Sequence, residues 1–262
     1  MFTQGQKDRI RATLFAFRPG LVNSGALSPP PSLFPATACT PVADNNPSVY
    51  YGVESVGFNT ISVYSNSSVA DGAIYIDRSC NQRTIVIKGQ TYPLTITGSY
   101  SNPCWFRAYI DYNNDGDFND AGESLISSAT PEFSGTAIFN ITIPTTGITP
   151  GIPLRLRIVS DYPWHNAPTA CHLDGDVNDG AGQVEDYAIV IAKQIISAGS
   201  GPWNVASTWT CNCIPTPDDE VLIKAGHTIT LTPAMGTIKC IKISLEAGSN
   251  FNVSGTFKTT GN

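Results

Sequence analysis

The chain has 262 residues, of which 41% are hydrophobic and only 14% charged, so it is long enough to bury a core in one large domain or two. Its 23 glycines and 19 prolines interrupt nearly every stretch that could hold a helical period, which points to mostly β structure. A net charge of -6 and a pI near 4.9 argue against nucleic acid or anionic membrane as partners, and no run of about eighteen apolar residues spans a bilayer.

At the N-terminus, Thr3 with Gln6 three places on makes a capping box, and Ile10, Leu14 and Phe17 follow at helical spacing up to the breaker Pro19-Gly20. The spacing predicts one short helix within residues 1–27. The opening MFTQGQKDRIRATLF is polar and amphipathic, without the basic-then-apolar order of an export signal. The chain is therefore expected to carry no signal peptide of its own, with export directed from elsewhere or the chain being part of a longer one.

The run MFTQGQKDRIRATL resembles the closing helix of the catalytic domain of pappalysin-like secreted metalloproteases. That resemblance implies a longer precursor whose enzyme domains are partners of this chain. The family's zinc chemistry does not carry over: no H-E-x-x-H occurs, and the histidines are His165, His172 and His227. Residues 28–38, SPPPSLFPATA, read as an extended, semi-rigid linker.

From Tyr50 to Ala192, short β-prone runs alternate with turn residues at sandwich spacing. The predicted strands are Thr60 to Ser65, Ala73 to Ile76, Thr84 to Lys88, Tyr92 to Thr97, Trp105 to Tyr112, Gly135 to Ile143, Leu154 to Ser160 and Val184 to Ala192. Leu154, Leu156 and Ile158 alternate with Arg155, Arg157 and Val159, so one face is expected in the core and the other partly in solvent. In the last strand Glu185 shares a face with Tyr187, and Asp186 shares one with Ala188, so only one of the two acids can point toward a given ion.

Between these strands lies the segment Asp111 to Glu123, DYNNDGDFNDAGE, with five acids and no base. Asp111, Asn113, Asp115 and Asp117 stand at loop positions 1, 3, 5 and 7 with Gly116 at the sharp turn, the spacing by which one segment gathers oxygens around calcium. Asp117 can offer its backbone carbonyl instead of its side chain. The loop is not an EF-hand, because Gly122 holds the twelfth position, Glu123 comes one place late, and a strand precedes it. The ion needs a ligand from elsewhere, for which Glu185 is the first candidate and Asp186 and Glu123 the lesser ones.

A second window, Asp174 to Asp186, has the same composition, and Asp174, Asp176, Asn178 and Asp179 are candidates for a second ion. Ten of the 21 acidic residues fall in the two windows, where like charges repel unless solvent or a cation offsets them. Ca2+ is the expected cofactor. The alternative is a pair of solvated Asp-Gly turns.

GQVEDYAIVI, from Gly182 to Ile191, preceded by IDYNNDGDF and PLRLRIVSDY, resembles the GEVED domain, a module of secreted multidomain proteins, mostly from Bacteroidota. The resemblance spans residues 39–192 and departs at Gln183, where the namesake motif has Glu. It implies an antiparallel, jelly-roll-like β-sandwich at residues 39–193, calcium-stabilised, secreted or at the cell surface, and non-catalytic. Such a module serves attachment, spacing or substrate binding beside catalytic domains.

Residues 194–262 resemble the start of a β-solenoid, with VLIK, TITL, IKISL and FNVSG as successive rungs. Fewer than three rungs are expected, with an exposed C-terminal edge.

Seven cysteines in such a chain suggest an oxidising, extracellular setting. The expected pairs are Cys39 with Cys80, Cys104 with Cys171, and Cys240 with Cys211 or Cys213. A zinc site from Cys211, Cys213, His227 and Cys240 is the alternative, although it lacks a C-x-x-C pair.

Two other functions compete with the ancillary module. A carbohydrate-binding module would present Trp164 and His165 from the loop DYPWHNAP to a polysaccharide, with Trp105 in the core. A hydrolase would use His165, His172 and Asp174, or an acid pair such as Asp111 with Glu185, on a polysaccharide or protein substrate.

Overall fold

The computed structural model describes residues 34–43, 49–65, 71–98, 103–126, 135–161, 163, 166–174 and 181–260. The expected N-terminal helix, Trp164, His165 and, in the second acidic window, Asp176, Asn178 and Asp179 lie outside those residues.

Thirteen short strands build a β-sandwich. They are β1 (Val42–Ala43), β2 (Val49–Tyr51), β3 (Val53–Phe58), β4 (Ile61–Tyr64), β5 (Tyr75–Asp77), β6 (Arg83–Val86), β7 (Thr91–Gly98), β8 (Trp105–Ile110), β9 (Ser124–Ile126), β10 (Thr136–Thr142), β11 (Pro153–Asp161), β12 (His172–Leu173) and β13 (Ala181–Ile191). One sheet is antiparallel in the order β10-β7-β3-β4, and the other runs β2-β13-β11-β8-β9. The eight predicted strands all appear, within a few residues of the expected ends. The strands β1, β2, β3, β9 and β12 fall outside the predicted set. Gly57 inside VESVGF weakens the strand signal of β3, and β9 has three residues.

The long strand β13 organises the larger sheet. Along one edge it pairs antiparallel with β11, from Gln183 opposite Ser160 to Val190 opposite Pro153. Along the other it takes β2, β5 and β6 end to end, all parallel. Side chains of β13 alternate between the two faces of the sheet. Tyr187, Ile189 and Ile191 meet Phe106, Ile110, Leu156 and Ile158, and across the sandwich Phe58, Leu94 and Ile96 of the four-stranded sheet close this core. Each such side chain, fully buried, contributes about 1.5–3 kcal/mol.

The opposite face of the large sheet was expected to be partly solvated, and the structure corrects this: all nine residues of β11 are buried. A second cluster covers that face, with Tyr109, Val159 and Val184 of the sheet packed against Phe118 of the acidic loop and Ala170 and Leu173 of the segment before β13. Residues 34–43 run across it as a strap. The parallel pairing of β1 with β12 sets Val42 opposite His172 and Ala43 opposite Leu173.

This crossing decides the disulfides. Cys39 bonds Cys171, with Cα atoms 5.8 Å apart, and Cys211 bonds Cys213, so none of the expected pairs forms. Cys80 is exposed, and Cys104 and Cys240 are buried as free thiols. A zinc site built on Cys211 and Cys213 is excluded with the two sulfurs joined to each other.

Beyond the sandwich the chain winds into a solenoid of parallel strands. They are β14 (Gln194–Ile196), β15 (Gly201–Pro202), β16 (Glu220–Ile223), β17 (Thr228–Leu231), β18 (Thr237–Cys240), β19 (Lys242–Leu245), β20 (Asn250–Val253) and β21 (Thr256–Thr259). Three faces result: β14-β16-β19, β15-β17-β20 and β18-β21. Two faces are three strands deep, one more than expected, and the third is two deep because residues 203–219 take no strand there. Trp203 and Trp209 fill its interior beside Ile223 and Ile229. Their rings stand edge to face at 5.2 Å, and Phe251 and Phe257 of the last turn pack on Trp203.

Candidate functional site

The segment Asp111 to Glu123 leaves the end of β8 and returns into β9. Two of its acids are buried and the rest face water. Asp111 is 0% exposed and Glu123 1%. Asp111 accepts hydrogen bonds from the amides of Asp115 (3.2 Å) and Gly116 (2.9 Å). Glu123 accepts from the amides of Tyr112 (2.8 Å) and Asp120 (3.4 Å). Burial pushes both carboxyl groups above the usual carboxylate range, and the charge of Asp111 raises Glu123 further.

The outer acids are stitched by an amide. Asn113 Nδ2 donates to Asp115 at 2.8 Å and to Asp120 at 2.6 Å, while Asn113 Oδ1 accepts from the Asp115 amide. Asp115 and Asp117 each turn back onto the amide two residues later. Gly116 has φ +94°, and a Cβ there would sit 2.5 Å from the carbonyl oxygen of Thr37, so both the turn and the strap require glycine. The strap holds the loop from outside as well, since the Ala36 amide donates to Asn114 Oδ1 at 2.9 Å.

Among the described residues, no Lys, Arg or His forms an ion pair with these five acids. Nor do three Asp, Glu, His or Cys side chains there converge as a ready-made metal cage. Each carboxylate accepts instead from a local N–H.

The acids of β13 are committed elsewhere, which corrects the expectation that Glu185 or Asp186 completes the loop's ligand set. Asp186, 0% exposed, accepts from Arg155 (2.6 Å), from two nitrogens of Arg157 (2.7 Å each) and from the hydroxyl of Tyr75 (2.7 Å). Arg157 lies opposite it on β11, fully buried between the rings of Tyr75 and Phe118 at 5.5 and 5.0 Å. Its remaining nitrogen reaches the carbonyl of Ala170 and the sulfur of Cys39. The same planar guanidinium that neutralises Asp186 thus supports the loop through Phe118 and the strap through Cys39.

Glu185 points to the opposite face. It accepts two hydrogen bonds from Arg78, at 2.7 and 3.1 Å, and one from the hydroxyl of Tyr187. Arg78 also pairs with Asp71 at 3.2 Å. Next to them, Gln183 accepts from the Val53 amide and donates to Asp71 and to the carbonyl of Ala73. A glutamate at that position could not make the last two bonds.

The strand–loop–strand order from Trp105 through the acidic loop and the paired arginines to VEDY on β13 is now complete. Residues 105–190 match the family model of the GEVED domain. GEVED is a non-catalytic module family of secreted proteins. The GEVED segment contains the whole acidic loop, both arginines and both acids of β13. No curated protein and no solved structure matches the chain. No helix among the described residues is long and apolar enough to cross a membrane.

The other sequence candidates disperse around the GEVED segment. Asp174 accepts from the amide and side chain of Asn166, and its own amide donates to Asp161, so it closes the 166–174 segment. His172 sits in β12, half-buried against the strap. Trp105, Trp203 and Trp209 are at most 8% exposed, leaving none of the three as a flat sugar platform. Asp120 is the loop acid that spacing by twos passes over, because it falls at the tenth place; its bond to Asn113 brings it into the cluster.

Proposed function

We propose that the chain is a non-catalytic ancillary module of a secreted multidomain protein, serving attachment, spacing or substrate binding, and that one Ca2+ stabilises it at the acidic loop. The observation that carries this reading is the burial of Asp111 and Glu123 at 0% and 1% exposure, facing amides but no basic side chain among the described residues. Buried carboxylates are ordinarily paired with a cation, and an all-oxygen donor set suits a hard one.

The residues that would hold the ion are Asp111, Asn113, Asp115, Glu123 and either the side chain or the backbone carbonyl of Asp117, with Asp120 as a further acid. Glu185 and Asp186 are not among them, being satisfied by arginines. The ion's chemistry here is charge neutralisation, and acids engaged in it are unavailable for proton transfer. The role of a larger enzyme as partner rests on the GEVED match and on the resemblance at the N-terminus.

Extracellular calcium modules bind with Kd on the order of 10⁻⁴ to 10⁻³ M, so millimolar Ca2+ stabilises by about 1–2 kcal/mol. For a chain of this size that corresponds to a rise of roughly 2–6 °C in Tm. A calorimetric scan in EDTA and in excess Ca2+ should show that rise for the natural chain and none for Asp111→Asn/Glu123→Gln. A melting point indifferent to chelation would sink the proposal.

A further inference from the structure

The four-stranded sheet ends on one side at β10. This strand pairs with β7 over its whole length without a bulge, and among the described residues no strand lies on its other side. At seven residues it is long for an edge, since the other edge strands of the two main sheets have three or four. Edge strands are ordinarily kept short or guarded by a charge, a proline or a bulge. The sequence of β10, TAIFNIT, has none of these guards.

The bonds at the two ends of the ladder fix which way its main chain faces. The Gly98 amide donates to the Gly135 carbonyl, and the Ile143 amide to the Gln90 carbonyl. Antiparallel alternation then turns the main-chain groups of Ala137, Phe139 and Ile141 toward β7, and those of Ile138, Asn140 and Thr142 outward. The outward N–H and C=O groups have no hydrogen-bond partner among the described residues. They stand in solvent, with Ile138 66% exposed and Asn140 and Thr142 exposed beside it.

The strand also matches itself. Turned about a two-fold axis through Phe139, TAIFNIT sets Thr136 against Thr142, Ala137 against Ile141 and Ile138 against Asn140 of a second copy. In that register, Ile138 of each copy exchanges both main-chain bonds with Asn140 of the other. Phe139, half-buried at the rim of the core, meets its counterpart at the closer of the two cross-strand spacings, about 4.5 Å between Cα atoms. On the outer face the hydroxyl pairs Thr97–Thr136 and Thr91–Thr142, at 3.0 and 2.7 Å, join into one row across the two copies.

Charge permits the approach. The chain carries -6, but β10 and its outward neighbours Thr91, Pro93, Thr95 and Thr97 on β7 are uncharged, so two copies meet there without like charges opposed.

We infer that β10 is a self-association edge: a second copy of this chain adds its own β10 antiparallel, joining two four-stranded sheets into one continuous sheet. Such an interface is isologous and closes at the dimer. It goes beyond the calcium reading, because no acid of the loop lies on β10.

Sedimentation velocity tests this on the full chain, from about 1 µM to about 1 mM, in Ca2+ and in EDTA. The mass should rise from 27.9 kDa toward twice that value, alike in both media. Ile138→Lys/Asn140→Lys sets lysine opposite lysine at exposed positions and should raise the dissociation constant at least about tenfold. Asn140→Pro, which deletes an outward amide and no bond to β7, should weaken the dimer as much. Ser62→Lys, exposed at the far edge strand β4, should change the constant by less than about twofold. Amide hydrogen exchange at Ile138 and Asn140 should slow as the protein is concentrated, while Ala137 and Phe139, already bonded to β7, stay unchanged.

A monomer throughout that range, or a dimer indifferent to both edge variants, would overturn the inference. Growth past the dimer into fibres would overturn its two-fold closure. Protection of Ile138 that appears only with an added unrelated peptide would overturn self-association in favour of a foreign strand.

Discussion

Asp186 holds two guanidiniums and a tyrosine hydroxyl in a site closed to water, so its removal strands a fully buried Arg157 charge. Breaking a buried pair from one side costs about 3–5 kcal/mol. Asp186→Ala should lower the free energy of urea unfolding by that amount, with Asp186→Asn recovering part of it. Gln183 poses the converse case. Restoring the family's glutamate there deletes the donation to Asp71 and Ala73 and adds a third acid beside Asp71 and Glu185. Gln183→Glu should therefore destabilise by about 1–3 kcal/mol at neutral pH in the same measurement. The glutamine also shows how a one-atom departure from a motif is decided by neighbours that lie about a hundred positions away in the chain.

At the level of elements, the strap and the acidic loop depend on one another. Arg155 donates to the carbonyl of Ala36 at 3.1 and 3.2 Å, and Ala36 in turn donates to Asn114 of the loop. Cys39–Cys171 closes a chain loop with a sequence separation of 132, and cross-links of that length restrict the unfolded chain by roughly 2–5 kcal/mol. Cys39→Ser/Cys171→Ser should lower stability by that amount in denaturant titration. Limited proteolysis should then cut first in residues 34–43, because the lost bond frees the strap before the sheet beneath it. The Cys211–Cys213 bond spans two residues and closes too small a loop to have a comparable effect.

For the whole molecule, the raised carboxyl groups of Asp111 and Glu123 set a pH dependence whose sign follows from linkage. A carboxyl whose folded pKa lies above its unfolded one gives its full stabilisation at pH below the unfolded value. It loses it as pH rises through the folded value. Burial is the first cause in both residues. In EDTA, stability should therefore fall as pH climbs from about 4 toward neutrality. With Ca2+ present, the ion offsets the charge that deprotonation creates. The gap in Tm between Ca2+ and EDTA should be wider at about pH 7.5 than at about pH 5, and a gap independent of pH would place the ion away from these two acids.

Read alone, the sequence determined what is local. Alternation at Leu154, Leu156 and Ile158, and turn chemistry at Gly116, fixed the β class, the eight strands and the acidic loop, because each rests on residues within a few positions of one another. Its three GEVED-like motifs also marked the segment that the family model matches. Tertiary structure alone decided which cysteines meet, why the arginine face of β11 is dry, and that Glu185 and Asp186 serve Arg78 and Arg155 with Arg157 instead of the loop. Those outcomes depend on which segment crosses which sheet face, and strand pairing across more than a hundred residues is settled by the packing of the whole sandwich, which no local spacing encodes.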